Sequence, residues 1–456
     1  MTSDSERPDL SPTLPTSGLA RNARLLSLPL GAAGRGAVGL GRRLLGADAD
    51  EVSAELRTRA AEQLFAVLGE LKGGAMKFGQ VLSLFEAVLP DDIAGPFRAQ
   101  LSRLQDAAPP MPSARVQGVL RHELGPSWRD HFESIDLRPA AAASIGQVHR
   151  GVWRATGQPV AIKVQYPGAA DALRSDLRQI ERLASVASPL TGGVDVVSLS
   201  REIGARIAEE VDYLLEADNQ RRASAAFRGH PQFLVPDVLH ATQRVLVSEW
   251  IDGRRLREVA DEPADERNRV GLAYVRWLFS GPAAAGILHA DPHPGNYLMT
   301  PDGRLGIVDF GLVSRLPNGL PPAMGHLIGL ACRGDAERMG AGLAAEGFVA
   351  SPLAATELLD YLGPFVEPAR VPEFHFTRDW MREQFARVKA STGRDGVAMS
   401  LNIPPEYALI YRVWMGGIAV LAQLDVRARF ADVLTELLPG FADVAGNPSS
   451  ANTASP

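Results

Sequence analysis

Cysteine is almost absent from this 456-residue sequence: Cys332 stands alone, so no intramolecular disulfide and no cysteine-ligated metal cluster can form within the chain. That fits a reducing compartment, and the thiol reads as a small buried hydrophobe. Long apolar runs are missing too. No 18 consecutive apolar residues occur, which removes any strong transmembrane candidate. The opening Met1–Ala20 is acidic and proline-rich, the reverse of a secretory signal. A cytoplasmic protein is expected, with room for peripheral contact at the inner face of a membrane. Excess positive charge is also lacking. The formal net charge is −6 and the two signs are interspersed, so no nucleic-acid partner is expected. No internal repeat is visible.

What remains is a chain with 46% apolar residues, enough to bury cores in two or three domains. Residues 1–18 and 446–456 are rich in Pro, Ser, Thr, Asn or Ala and read as disordered. Between Leu19 and Gly46 the basic residues Arg21, Arg24, Arg35, Arg42 and Arg43 occur without an acid. Such a segment suits an anionic membrane surface, but six glycines from Gly31 to Gly46 suit a loose linker equally. Helical spacing begins with Leu56, Ala60, Leu64, Leu68 and Leu71, breaks at Gly73-Gly74, and resumes through Phe78, Val81, Leu82 and Phe85. Lys77 and Gln80, three apart, share one face of that second helix.

In the middle of the chain the period changes. Ala140–Arg154, the turn Thr156-Gly157 and Val160–Gln165 read as a strand, a hairpin and a strand, with Val160, Ile162 and Val164 on one face and Ala161 and Lys163 on the other. A long helix is expected near Arg201–Ala226, marked by Ile203, Ile207, Val211 and Leu214 and carrying Glu210, Asp212, Glu216 and Asp218. Strands are expected at Val245–Trp250 and Leu305–Val308. Helices follow, the most apolar being Ala408–Leu421. Tyr411 and Arg412 interrupt it, so it reads as part of a packed lobe rather than an anchor.

Four stretches could supply phosphoryl-transfer chemistry, which needs metal ligands, a lysine on the phosphates and a carboxylate that orients the acceptor. The first is Ala141-Ala142-Ala143-Ser144-Ile145-Gly146-Gln147-Val148, which keeps Gly146 and Val148 of the kinase loop G-x-G-x-x-G-x-V but has alanine at the first two glycines. The second is Val160-Ala161-Ile162-Lys163, a match to V-A-I-K with its lysine 17 residues after Gly146. A lysine on the inner face of a strand needs an anionic partner. The third is His289-Ala290-Asp291-Pro292-His293-Pro294-Gly295-Asn296, in which Asp291 and Asn296 keep the spacing that places an acceptor-orienting acid and a metal-binding amide on one loop. His289 and His293 read as buttresses, because they lack a zinc-binding spacing. The fourth is Asp309-Phe310-Gly311, a metal-binding D-F-G, 18 residues after Asp291.

These residues, together with Lys77-Phe78-Gly79-Gln80 for K-x-G-Q, Ala140–His149 for an alanine-rich loop and Glu210-Val211-Asp212 for E-x-D, resemble the UbiB (AarF) family of atypical kinases. The likeness runs from about Asp50 to Pro317 and on through the C-terminal helices. It implies an α+β, bilobal protein kinase-like fold with a small antiparallel-sheet N-lobe, a helical C-lobe and an N-terminal helical extension over the cleft. The corresponding boundaries are 48–135 for the extension, 136–252 for the N-lobe and 253–445 for the C-lobe, with 19–47 as the basic segment. It implies ATP or ADP with Mg2+ as cofactors, Lys163 on the phosphates and paired with a helix acid, Glu216 before Glu210, and Glu210 with Asp212 facing Lys77. It implies too that Lys77 and Gln80 point into the active site and that backbone groups of Glu249–Ile251 meet adenine. Spacing alone leaves the choice of acid open, since Glu210 and Glu216 would lie on different faces of one helix.

Two departures from protein kinases stand out. Ala290 replaces the arginine of H-R-D, and nothing after Gly311 reads as A-P-E, so peptide docking is not expected. The alanines restrict the phosphate loop, which biases nucleotide pose or preference. The function implied is a kinase or ATPase acting on a small molecule or lipid in support of isoprenoid quinone biosynthesis. The alternative is a non-catalytic, nucleotide-switched scaffold for lipid intermediates or biosynthetic enzymes. A phosphotransferase of the antibiotic-kinase type shares the H-x-D-x-x-x-x-N loop, but the K-x-G-Q helix ahead of the nucleotide lobe argues against it.

Overall fold

The structure is a computed structural model that describes residues 111–143, 145–171, 211–349, 354–390, 397, 401 and 403–445. Lys77, Gln80, Ser144, Glu210 and the segment 19–47 lie outside the described residues. The first described elements are helix α1 (Ser113–Leu124) and strands β1 (Phe132–Ile135), β2 (Ala141–Ala143), β3 (Gly146–Trp153) and β4 (Pro159–Gln165). The β3–β4 hairpin closes where the turn residues place it: Thr156 and Gly157 both donate to Trp153 O, and Gly157 takes φ +69°, which glycine alone adopts without cost. Along β4 the period of two puts Val160, Ile162 and Val164 at 0% exposure, packed with Val116 and Leu120 of α1 and with Trp128 and Phe132. Each such side chain contributes about 1.5–3 kcal/mol by leaving water. The opposite face, with Ala161 and Lys163, is left for the cleft.

Chain continuity then brings helix α2 (Tyr213–Ala226), β5 (Phe233–Leu234), β6 (Val238–Ala241) and β7 (Val245–Glu249). The N-lobe sheet runs β1-β3-β4-β7-β6, with β2 hanging from β3 and every pairing antiparallel. Because β1 pairs with β3, this sheet begins before residue 136 and takes in the end of the stretch 48–135. The helix expected at Arg201–Ala226 is also revised. Asp212 has extended backbone (φ −99°, ψ 95°) and caps α2, its Oδ1 accepting from Leu214 N and Leu215 N. Leu214, taken as part of the apolar stripe, is 44% exposed. The inward face of α2 is mixed, with Glu216, Asn219, Gln220 and Ser224 buried beside Tyr213, Ala217 and Ala223. A hydrophobic period cannot register such a face.

After β8 (Arg254–Arg255) comes helix α3 (Ala264–Ala285), ended by Gly286 at φ +66°, and then strands β9 (Ile287–His289), β10 (Tyr297–Met299), β11 (Leu305–Ile307) and β12 (Val313–Arg315). β10 and β11 form a hairpin over the turn Pro301-Asp302-Gly303, within a small sheet ordered β5-β11-β10-β8. β9 pairs with β12, His289 opposite Val313. Helices α4 (Pro322–Arg333), α5 (Ala336–Ala345), α6 (Ala355–Arg370), α7 (Arg378–Ala390), α8 (Pro405–Leu424), α9 (Phe430–Leu437) and α10 (Phe441–Ala445) complete the C-lobe. Its core joins Tyr274 and Leu278 of α3 to Leu288, Tyr297, Phe310, Val413 and Leu421. Three small sheets and the helices of the C-lobe, with an antiparallel N-lobe, make the described residues the bilobal protein kinase-like, α+β fold.

Helix α8 is longer than its apolar centre suggested. By length and composition it could cross a membrane, with mean hydropathy 1.3 over Glu406–Leu424, but 56% of that window is buried inside the protein. Cys332, expected to be buried, is half-buried, and burial pushes its thiol up to about 11.

Candidate active site

Lys163 points from the cleft face of β4 into a pair of carboxylates. Its Nζ donates to Glu216 Oε1 at 2.7 Å, to Glu216 Oε2 at 2.9 Å and to Asp309 Oδ1 at 3.0 Å. The residues come from a strand, a helix and a loop that lie 53 and 146 positions from the lysine in sequence. Burial works hardest on the amine and would lower its pKa, but the charges of Asp309 and Glu216 outweigh it, and the amine is held well above its usual range. Tyr213, at the start of α2, lays its ring 5.2 Å from Nζ. Its hydroxyl is pushed far up, mainly by burial.

The second half of the site is built by the β10–β11 hairpin. Tyr297 faces Ile307, so the residues just outside the hairpin, Asn296 and Val308, also meet, and Val308 N donates to Asn296 O at 3.0 Å. This brings Asp309 beside the loop that carries Asp291. On the other side of the loop, Ala290 N donates to Leu312 O at 3.0 Å, continuing the β9–β12 pairing. The two motifs are therefore stitched together at both ends by backbone hydrogen bonds. Within the loop, Asn296 Nδ2 donates to Asp291 Oδ2 at 2.8 Å and to Asp291 O at 3.4 Å. His289 is 3% exposed. Its Nε2 donates to Val308 O at 3.2 Å and its Nδ1 accepts from Tyr297 Oη at 3.4 Å. Burial depresses the imidazole, which stays neutral and buttresses the loop, as read from the sequence. His293 Nδ1 accepts from Gly295 N at 3.1 Å.

Asp309 has φ +65°, a left-handed conformation that costs a residue with a side chain about 1 kcal/mol. The following Gly311 makes room: a Cβ there would lie 3.3 Å from Asp309 Oδ1 and 3.6 Å from Glu216 Oε2. Gly146 is fixed by a different constraint. Its φ is not left-handed, but a Cβ would sit 2.4 Å from Val164 O and 2.8 Å from Tyr213 Oη. The alanine-rich loop is a tight hairpin, Ala141 opposite Val148, Ala142 opposite Gln147 and Ala143 opposite Gly146. The alanines take no positive φ.

The remaining expected residues among those described take the following places. Val148 and Ala161 flank Lys163, Val148 being its partner in the β3–β4 register. Glu249 accepts from Asp237 N at 3.0 Å on its carboxylate, and its own N–H donates back to Asp237 O at 3.0 Å. Ile251 packs against the backbone of β11, where a Cβ on Gly306 would meet its Cγ2 at 3.1 Å. Asp212 caps α2, as described. Three residues that do not figure in the expected site also bear on it. Gln147 and His149 are buried beside the alanine loop: Gln147 Oε1 accepts from Met111 N at 2.8 Å, its Nε2 lies 2.9 Å from His149 Nε2, and His149 Nδ1 donates to Asp136 O at 2.9 Å. Arg412 reaches the loop from α8, Nε donating to Ala290 O at 2.8 Å and Nη2 to Asp291 Oδ1 at 3.4 Å. The only signal for Arg412 in the sequence is an arginine inside an apolar helix, and nothing local names its partner.

The donor set suits a hard divalent cation. Asp309 offers an accessible carboxylate, and Asn296, with its amide nitrogen committed to Asp291, has its carbonyl oxygen left to coordinate. Among the described residues no cluster of three His, Cys, Asp or Glu side chains forms a preassembled metal cage.

Comparison with known proteins agrees with this arrangement. The family model described as the ABC1 atypical kinase-like domain matches residues 103–341, more than half of the chain. The chain is 32% identical over 425 residues to the Arabidopsis thaliana protein ACTIVITY OF BC1 COMPLEX KINASE 3, chloroplastic, covering 89% of this chain and 56% of that one. It is 30% identical over 260 residues to the zebrafish (Danio rerio) atypical kinase COQ8B, mitochondrial, covering 56% and 41%. The chain thus spans about half the length of these curated relatives. Among solved structures, Rv3197 of Mycobacterium tuberculosis in complex with erythromycin is 39% identical, with a TM-score of 0.66, over 88% of this chain and 100% of that one. A kinase-like cleft, an alanine loop in place of a glycine loop, and similarity extending over most of both chains converge: the chain belongs to the ABC1 atypical kinase-like, or UbiB (AarF), family.

Proposed function

We propose that the chain is an atypical kinase or ATPase that binds ATP or ADP with Mg2+ in the cleft and acts on a small-molecule or lipid substrate, in support of isoprenoid quinone metabolism. The observation that carries this reading is Lys163, held between Glu216 and Asp309, with Asp309 next in the chain to Val308, which is hydrogen-bonded to Asn296, the partner of Asp291. An amine fixed at 2.7 Å by a buried helix carboxylate is preorganised to meet phosphate oxygens. Asp309 and Asn296 are the residues that would hold the metal, which would neutralise charge developing on the phosphates. Asp291, oriented by Asn296, would accept the acceptor's proton or orient its hydroxyl. The alanine hairpin would cover the nucleotide, and backbone groups at Glu249–Ile251 would meet adenine. Lys77 and Gln80 would face the acceptor side from the N-terminal extension, with Glu210 facing Lys77. The likeness to a protein solved with erythromycin and to one named COQ8B supports a small-molecule rather than a peptide acceptor.

Thermal shift with Mg-ATP and Mg-ADP tests the binding step. Ligand at about 100 times its Kd should raise apparent stability by roughly 2.7 kcal/mol, and Asp309→Asn should abolish the magnesium-dependent part. A wild type that does not shift, or an Asp309→Asn variant that shifts equally, overturns the reading. Binding without turnover, with Asp291→Asn still complementing a deletion, would instead assign the chain to the nucleotide-switched scaffold class.

A further inference from the structure

The geometry points to Arg412 as a positioning residue: a guanidinium from the C-terminal helix α8 that orients Asp291 and sets the shape of its loop, in place of the arginine that Ala290 lacks. This rests on the reading of Asp291 as the residue that orients the acceptor.

Four observations converge on the same three loop residues. Ala290 is fully buried, so its position has no room for a long side chain, and its carbonyl accepts from Arg412 Nε at 2.8 Å. Asp291 is held on both oxygens, Oδ2 by Asn296 at 2.8 Å and Oδ1 by Arg412 Nη2 at 3.4 Å. Pro292, next in the chain, gives its carbonyl to Tyr274 Oη at 2.9 Å, and its ring packs on α8 at Gly416, where a Cβ would meet Pro292 Cγ at 2.3 Å. Arg412 and Gly416 are four apart, so they lie on one face of α8. That face is shaped for the loop: a glycine admits the proline ring and the arginine grips the two residues before it.

The chemistry of the arginine makes a purely passive role a poor fit. Its side chain is 9% exposed, in a helix otherwise apolar enough to satisfy a membrane-span criterion. Burying a charge there is costly unless its contacts require it. Its Nη1 is buried with no hydrogen-bond partner among the described residues, a defect that a helix selected for stability alone would avoid. A guanidinium also does what an ammonium cannot, since its fixed fork reaches a main-chain oxygen and a carboxylate together. Through those two contacts α8 couples the packing of the C-lobe to the direction of the Asp291 carboxylate. In protein kinases the arginine adjoining this aspartate answers an activation-loop phosphate. Here the cation comes from a constitutively packed helix, 121 residues downstream, so the aspartate is set without such a signal.

The test uses the purified full chain as wild type, Arg412→Met and Arg412→Lys, with two independent readouts. Hydrogen–deuterium exchange reports the loop directly. The segment 289–296 should exchange about tenfold faster in Arg412→Met, while the β3–β4 hairpin keeps its protection. Steady-state ATP turnover reports the chemistry. The kcat should fall about 10- to 100-fold, with the KM for Mg-ATP within about twofold of wild type, and Arg412→Lys should recover part of it. Unchanged exchange in 289–296 overturns the proposal whatever the turnover shows. Faster exchange throughout the C-lobe, with KM and kcat changed together, also overturns it by making Arg412 a structural residue only. If wild type binds Mg-ATP but never turns it over, the catalytic reading fails while the exchange data still decide the role of Arg412.

Discussion

Lys163 and its two carboxylates differ in how much each depends on the others. Glu216 is 2% exposed and has the lysine as its cation, whereas Asp309 is 37% exposed and can turn to water or metal. Removing the lysine strands a buried charge, a defect of about 3–5 kcal/mol. Lys163→Met should therefore lower thermal stability markedly, while Asp309→Asn should leave the ligand-free Tm nearly unchanged, because the Lys163–Glu216 pair survives it. Differential scanning fluorimetry without nucleotide separates the two, and equal losses would show that Asp309 carries structural weight. At this scale the motif letters picked out Lys163 and Asp309, which the structure brings together. The helix acid was left open between Glu216 and Glu210, with Glu216 preferred, and the structure sets Glu216, 53 positions from Lys163, against the amine.

Elements explain why particular letters are needed. In a protein kinase the glycines of the nucleotide loop are valued for backbone freedom, and the alanines here were expected to restrict that freedom. The structure gives Gly146 another reason to exist, since β3 and β4 approach so closely that any side chain would strike Val164 O and Tyr213 Oη. Gly146→Ala should thus cost about 1–3 kcal/mol in folding stability, read as a lowered urea midpoint with unchanged m-value. A variant as stable as wild type would show that the hairpin can part without loss. Helix α2 makes the complementary case. Its buried face sets the polar Glu216, Asn219 and Gln220 among Tyr213, Ala217 and Ala223, with Asn219 donating to Phe310 O at 3.3 Å and Gln220 to Pro236 O at 2.8 Å. Apolar periodicity is blind to such a face. The sequence therefore suggested a longer helix, running through Asp212, where the backbone is extended and the carboxylate forms a cap. The strands of the hairpin were legible, because a period of two with one buried face is a local signal.

For the molecule as a whole, several imidazoles are held neutral by the fold. Burial lowers His149 and His289 from the ordinary value of 6.5, and His230 and His240 shift the same way. An unfolded chain takes up protons on these residues as pH falls through 6.5, while the native chain resists until its depressed values are reached. The native state then binds fewer protons, so stability must fall as pH drops below about 6.5, by up to ~1.4 kcal/mol per pH unit for each of the buried His149 and His289, and by less for the more solvent-screened His230 and His240. Above that pH these residues contribute no slope. Calorimetry in buffers of different ionisation enthalpy at pH 6 should record proton uptake on unfolding, and proton release there would contradict the assignment. His149 belongs to the link between Met111, Gln147 and Asp136, so acid should loosen this end of the N-lobe as well as the loop around His289.

By itself the sequence determined which chemical groups the chain owns and the order in which they occur: a lysine on a strand, an aspartate and an asparagine on a proline-locked loop, and a second aspartate before a phenylalanine and a glycine. Those are local properties, set by residue type and spacing over a few positions, and the kinase-like fold followed from them. Only the tertiary structure decided that Glu216 meets Lys163, that Asp212 caps a helix, that Gly146 is required by crowding, and that Arg412 supplies the cation missing beside Asp291. Each of these is a contact between elements far apart in the chain, chosen by sheet register and helix packing, and no short window of sequence contains both partners.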